Sequence, residues 1–121
     1  MRNACFVLMT VLFLNSYCLA AEMAKKSDLS ILYVGNVSTP RGKSYTVFLS
    51  KSFRRVAAVE RKEFDPRKAV EFDVVLLDWS QRERQEKQPL GPKDAWNKPT
   101  VLLGSAGLLL AEPWQIHGAI G

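Results

Sequence analysis

Cysteine is scarce in this chain. The 121 residues hold two, Cys5 and Cys18, both within the apolar N-terminal stretch. From residue 19 onward there is no thiol, which excludes a disulfide, a cysteine nucleophile and a thiolate metal site. Histidine is rarer still: His117 stands alone, four residues from the last position, and one imidazole without thiols argues against a zinc site. Long apolar runs are missing too. Ala4 to Leu14 is about ten residues with Thr10 inside it, whereas a membrane-spanning helix needs roughly 20. No internal repeat and no long linker interrupt the rest, and about 100 residues are enough for one core and one domain.

What stands at the N-terminus is a leader pattern. Met1-Arg2 gives a positive start, the apolar run follows, and Cys18-Leu19-Ala20-Ala21 closes it with small residues. That is the design of a secretory signal peptide, cut after Ala20 or after Ala21. A buried N-terminal helix is the competing reading of the same run. Asn15-Ser16-Tyr17 lacks the small, apolar lead-in of a lipoprotein site. The expected division is a signal peptide over 1–20, a lead-in over 21–28 and a single α/β domain over 29–121, exported to a periplasmic or extracellular space. Without Arg2 the 17 basic residues fall to 16 against 12 acidic ones, so the net charge of +5 falls to +4. The excess lies between Lys43 and Lys68. Outside a cell this points to an anionic surface or a solvated exterior rather than to nucleic acid.

The remaining chain alternates strand and helix signals. "LSILYVG" (Leu29–Gly35) is a compact apolar run closed by Gly35-Asn36, and reads as a buried strand. Val37 to Gly42 carries Ser38, Thr39, Pro40 and Gly42 and reads as a loop. Tyr45, Phe48, Leu49 and Phe53 then share one helical face, with Ser44 as the expected cap. "RVAAVE" (Arg55–Glu60) is a second strand. Asp65-Pro66 opens a helical turn to about Glu71, with Asp65 capping and Pro66 in the first position. "FDVVLLDW" (Phe72–Trp79) is the clearest strand. Its uninterrupted apolar centre suits a parallel strand covered on both faces. "SQRERQEKQ" (Ser80–Gln88) is a polar helix or loop, Gly91-Pro92 and Asn97-Lys98-Pro99 break the chain, and Pro99–Leu103 is a fourth strand. This pattern predicts a doubly wound, mostly parallel sheet of about four strands in the order 2-1-3-4, flavodoxin-like, with the chain ending before a fifth strand. Either the chain is a truncated product that would continue into a fifth strand, or strand 4 needs a partner to cover it, which leaves an oligomer open.

Ligands of such sheets bind beyond the carboxyl ends of the strands. Here that mouth gathers Gly35–Arg41, Asp78–Gln81 and Gly104–Gly107, giving Asn36, Ser38, Asp78, Trp79, Gly104 and Ser105 as expected ligand-binding residues. "VSTPRGKS" (Val37–Ser44) nearly spells a phosphate-binding loop, but Val37 replaces the first glycine and Pro40 removes an N–H, so the backbone cannot curl around phosphate oxygens. "FDVVLLDW" resembles the third strand of response-regulator receiver domains, with Asp78 at the phosphoacceptor position. The acidic pair that would hold Mg²⁺ after the first strand is replaced by Gly35-Asn36-Val37, which removes the main electrostatic help for phosphotransfer. No cofactor and no metal are expected.

"ILYVGN", "FLSKSF", "EFDPRKAVEFDVVLLDW" and "TVLLGSAGLLL" together resemble the class I glutamine amidotransferase-like superfamily, including its ThuA-like members, across most of the chain after the leader. The resemblance implies the flavodoxin-type fold. In catalytic members a cysteine occupies the sharp turn after a strand. The matching turn here, Gly104-Ser105-Ala106-Gly107, has none. Ser105 is then the alternative nucleophile, with His117 as base and Asp78 or Glu112 orienting it, against the plainer role of Ser105 as a helix N-cap. Trp79 and Trp114 are expected to bury against the sheet, and Trp96 to clamp its loop or to present a binding edge. The expected function is an exported module without catalysis of its own, binding a small ligand or a protein. The competing expectation is a hydrolase-like or amidotransferase-like fragment.

Overall fold

In the computed structural model, residues 25–80 and 87–117 are described. The leader, most of the polar stretch after Ser80 and the last four residues lie outside them. Four strands, β1 (Ser27–Gly35), β2 (Phe53–Glu60), β3 (Val74–Trp79) and β4 (Thr100–Gly104), form one all-parallel sheet in the order β2-β1-β3-β4. The predicted topology is the observed one. Helix α1 (Pro40–Ser52) joins β1 to β2, a 3₁₀ segment (Pro66–Glu71) precedes β3, and α2 (Ala106–Ala111) follows β4.

β1 is central and buried from Ser30 to Gly35, so both of its faces need apolar side chains. Leu32 and Val34 point into the larger core with Val75, Leu77, Trp79, Phe72 and Leu110. Ile31 and Tyr33 point the other way, onto Leu49 and Tyr45 of α1. The β1–β2 connection therefore covers one face while the connections through Ala69 and Leu90 cover the other, as winding outward in both directions from β1 requires. A polar clamp sets the β1–β3 register. The Ser30 amide and hydroxyl each donate 2.7 Å bonds to Asp73 Oδ2, and the Asp73 amide donates 3.0 Å bonds to Ser30 O and Oγ. Ile31 then falls opposite Val74.

Two local readings change. α1 starts at Pro40, and its cap is Thr39, whose Oγ1 accepts from the Gly42 amide at 3.2 Å, rather than Ser44. Pro40 occupies the first turn, where its missing N–H has no consequence. The buried face of α1 centres on Gly42 and Leu49: Tyr45 beside them is half-buried, but Phe48 is 61% exposed and Phe53 already belongs to β2. Asp65 caps the Pro66 turn as expected, accepting from the Arg67 amide at 3.0 Å. No helix among the described residues is long and apolar enough to cross a membrane.

Candidate functional site

The carboxyl ends of β1, β3 and β4 meet at one edge of the sheet, and the side chain at its centre is Asp78. It follows Leu77 on β3 and so turns to the α1 face, where it is 4% exposed. Burying a carboxylate demands partners. Arg41 in the first turn of α1 supplies three contacts: Nε to Oδ1 at 3.0 Å and to Oδ2 at 2.9 Å, and Nη2 to Oδ1 at 2.8 Å. The Tyr33 hydroxyl adds a 2.7 Å bond to Oδ2. Gly35 makes room for this arrangement, because a Cβ there would sit 2.8 Å from that hydroxyl. Tyr45 completes the group. Its ring stacks on Tyr33 with centroids 5.9 Å apart, and the Arg41 guanidinium lies 5.2 Å from its centre.

The electrostatics follow from the geometry. Burial, then the hydrogen bond to Asp78, push the Tyr33 hydroxyl well above the ordinary tyrosine value of 10. The hydrogen bond to Asp78 raises Arg41. Tyr33 is thus a neutral donor and Arg41 a permanent cation at any physiological pH. Asp78 engages only the Nε and Nη2 edge of the guanidinium, so the Nη1 end stays outside the pair while the Arg41 side chain keeps 44% of its surface exposed. Beside it lies a recess of about 230 Å³, lined by Arg41, Ser44, Tyr45 and Phe48.

The other expected site residues divide. Asn36 forms the turn into α1, its carbonyl accepting from the Thr39 amide at 3.2 Å and from the Thr39 hydroxyl at 2.7 Å. Ser38 is exposed in that turn. The Val37 amide, which a phosphate loop would offer to a ligand, donates instead to Glu60 Oε2 at 2.9 Å. Trp79 is one residue beyond Asp78, so its ring faces the larger core and leaves only its carbonyl at the mouth. That carbonyl accepts from the Ser105 amide at 2.8 Å and from the Ser105 hydroxyl at 3.2 Å. Gly104 has φ +61°, and a side chain there would collide with the same carbonyl. Ser105 occupies the N-cap position of α2 without a side-chain capping bond. His117 is exposed beyond α2.

The sequence marks Asp78 as part of the mouth but does not mark Arg41, Tyr33 and Tyr45 as its partners. A strand buried on both faces gives no periodic signal for the direction of Tyr33, and Arg41 sat in a stretch read as loop. Trp96 and Trp114 fasten the segment before β4 to its surroundings: Trp96 Nε1 donates to Thr100 Oγ1 at 2.8 Å and Trp114 Nε1 to the Gly91 carbonyl at 2.9 Å. Among the described residues no cluster of His, Cys, Asp and Glu is arranged to hold a metal.

Fold and mouth together define a flavodoxin-like α/β domain with a clasped carboxylate at the carboxyl ends of its strands. No family model matches the chain, and neither a curated protein nor a solved structure matches it.

Proposed function

We propose that this chain is an exported binding module that holds a small organic acid in the recess beside Arg41, and that it has no catalytic centre of its own. The observation that carries the reading is the state of Asp78. A carboxylate that accepts from Arg41 at both oxygens and from Tyr33 is a structural clasp, with its lone pairs already committed. Such a group is poorly placed to take a proton from a substrate. The recess next to it has a largely apolar lining, with Tyr45 and Phe48 as walls and Arg41 and Ser44 at its border. A ligand with an apolar body and one carboxylate suits those groups, the Nη1 end of Arg41 meeting the charge.

Export is part of this reading and rests on the leader pattern of residues 1–21. The resemblance to the class I glutamine amidotransferase-like superfamily is carried in the same way, as a likeness of architecture whose reactive cysteine has no counterpart at Ser105. Fold likeness alone is a weak warrant for chemistry. Within the superfamily's chemistry, Ser105 is the residue to test. Its hydroxyl donates to the Trp79 carbonyl, which fixes the turn rather than readying a nucleophile.

The test compares the mature chain with Ser105→Ala against L-glutamine and p-nitrophenyl acetate. The proposal expects equal background release of ammonia and nitrophenol from both proteins. Turnover that disappears with Ser105 would overturn it in favour of a hydrolase.

A further inference from the structure

β4 is an edge strand: among the described residues it pairs only with β3. The direction of its free groups can be read. The Pro99 carbonyl accepts from the Val75 amide, and the Ser105 amide donates to Trp79 O, so the odd positions bond toward β3. Alternate residues of a strand present their backbone groups to opposite edges. The N–H and C=O of Thr100 and Leu102 therefore point outward. The strand has no charge and no proline over Thr100–Gly104, and so lacks the usual devices that keep an edge from pairing.

Beside that edge lies a recess of about 520 Å³, and the same two residues help to line it. Its apolar lining comes from Trp96, Leu102, Leu110, Trp114 and Ile116, and its charged groups are Lys93 and Lys98 against the single carboxylate of Asp94. Lys98 is fixed by the Val70 and Phe72 carbonyls at 3.0 and 2.8 Å, while Lys93 is exposed. In a strand pair, directly opposed residues point to the same face. A segment added along β4 would thus direct the side chain opposite Leu102 into this recess.

We propose that the β4 edge is a docking site for an extended peptide of another protein, which adds a fifth strand by backbone pairing. Its central residue is bulky and apolar and fills the recess. The residues two positions either side of it are acidic and meet Lys93 and Lys98. Backbone bonds supply the attachment and the recess supplies selectivity, as in other cases of strand addition. This edge and the Arg41 recess belong to opposite faces of the sheet, so either site can fail while the other holds.

The probe is a labelled seven-residue peptide with tryptophan at its centre, then valine, glutamate and threonine outward on each side. Fluorescence anisotropy with the full mature chain is expected to show saturable binding. Amide hydrogen exchange is expected to slow at Leu102, whose N–H faces away from β3 and has no partner among the described residues. N-methylating one alternate set of peptide amides should weaken binding at least about tenfold, and methylating the other set should leave it unchanged. Lys93→Glu, at an exposed position opening the 3₁₀ turn Lys93–Ala95, should weaken it about threefold. No saturable binding, or equal tolerance of both methylation sets, overturns the proposal. So does a Leu102 amide already protected in the free protein. Concentration-dependent dimerisation in sedimentation would then assign the edge to a second copy, and protection in a monomer would assign it to the chain's own residues.

Discussion

The Tyr33 hydroxyl reaches across from β1 to β3 and donates a 2.7 Å hydrogen bond to Asp78 Oδ2, with both side chains buried. These residues are 45 apart in sequence, and only the parallel β1–β3 pairing, with Tyr33 opposite Leu76, brings them to the same end of one face. Arg41 closes the group from α1. A helix, a central strand and a neighbouring strand are thereby tied at the mouth by three side chains.

Removing the carboxylate leaves a buried hydroxyl without its acceptor and a cation without its counter-charge. Asp78→Ala is expected to lower unfolding free energy by about 3 kcal/mol, at the low end for a buried pair because Arg41 is partly solvated. Tyr33→Phe removes one bond and keeps the ion pair, so about 1 kcal/mol is expected. Urea unfolding of both variants and of the double variant measures the coupling, and losses that simply add would show that the hydroxyl and carboxylate act independently.

At the alkaline end the same bond sets the pH response. The folded Tyr33 is raised above the ordinary value of 10, so protons are held in the native state that the unfolded chain releases. Its stabilisation is complete below pH 10 and is lost as the pH climbs above it. Absorbance at 295 nm should show Tyr33 ionising only with unfolding, and Tyr33→Phe should flatten the decline above pH 10.

At the acid end two carboxylates respond, half-buried Asp65 and exposed Asp73. The Arg67 side chain, then its amide, hold Asp65 at about 2, down from 3.8. The Ser30 amide and hydroxyl lower Asp73. Depressed values mean that the unfolded chain binds more protons, so stability is present above about pH 4 and is lost as the pH falls towards 2. Asp65→Asn and Asp73→Asn should each make the acid limb of the stability curve shallower, as followed by circular dichroism between pH 2 and 5.

Gly104 combines φ +61° with backbone that leaves no room for a side chain. Gly104→Ala should cost about 2 kcal/mol or more in urea unfolding. Gly91, at φ +77° in open space, carries the conformational penalty alone, so Gly91→Ala should cost about 1 kcal/mol. Equal losses at the two sites would contradict the account of the Gly104 turn.

Much of this architecture was legible because its strands are continuous apolar runs ended by Gly35, Trp79 and Gly104. Runs of that kind bury on both faces, which points to parallel pairing. The same property hid the site. Ile31 to Val34 are apolar without a break, so nothing in that run marks Tyr33 as facing α1. Trp79 could have been placed, since strand side chains alternate and its neighbour Asp78 ends the strand on the mouth side. The helix start was hidden by competition: Thr39 and Ser44 both can cap, and the choice falls to Thr39 because Gly42 packs against the Asn36 turn, where a Cβ would not fit.

The proposed binding site for a small apolar acid is the recess of Arg41, Ser44, Tyr45 and Phe48. The deciding measurement is a titration of the ¹⁵N-labelled protein with phenylacetate, read by amide shifts in wild type and in Arg41→Gln. Saturable shifts confined to the first turns of α1, weakened about tenfold or more by Arg41→Gln, are predicted. Shifts that never saturate, or that persist unchanged without the guanidinium, would contradict it.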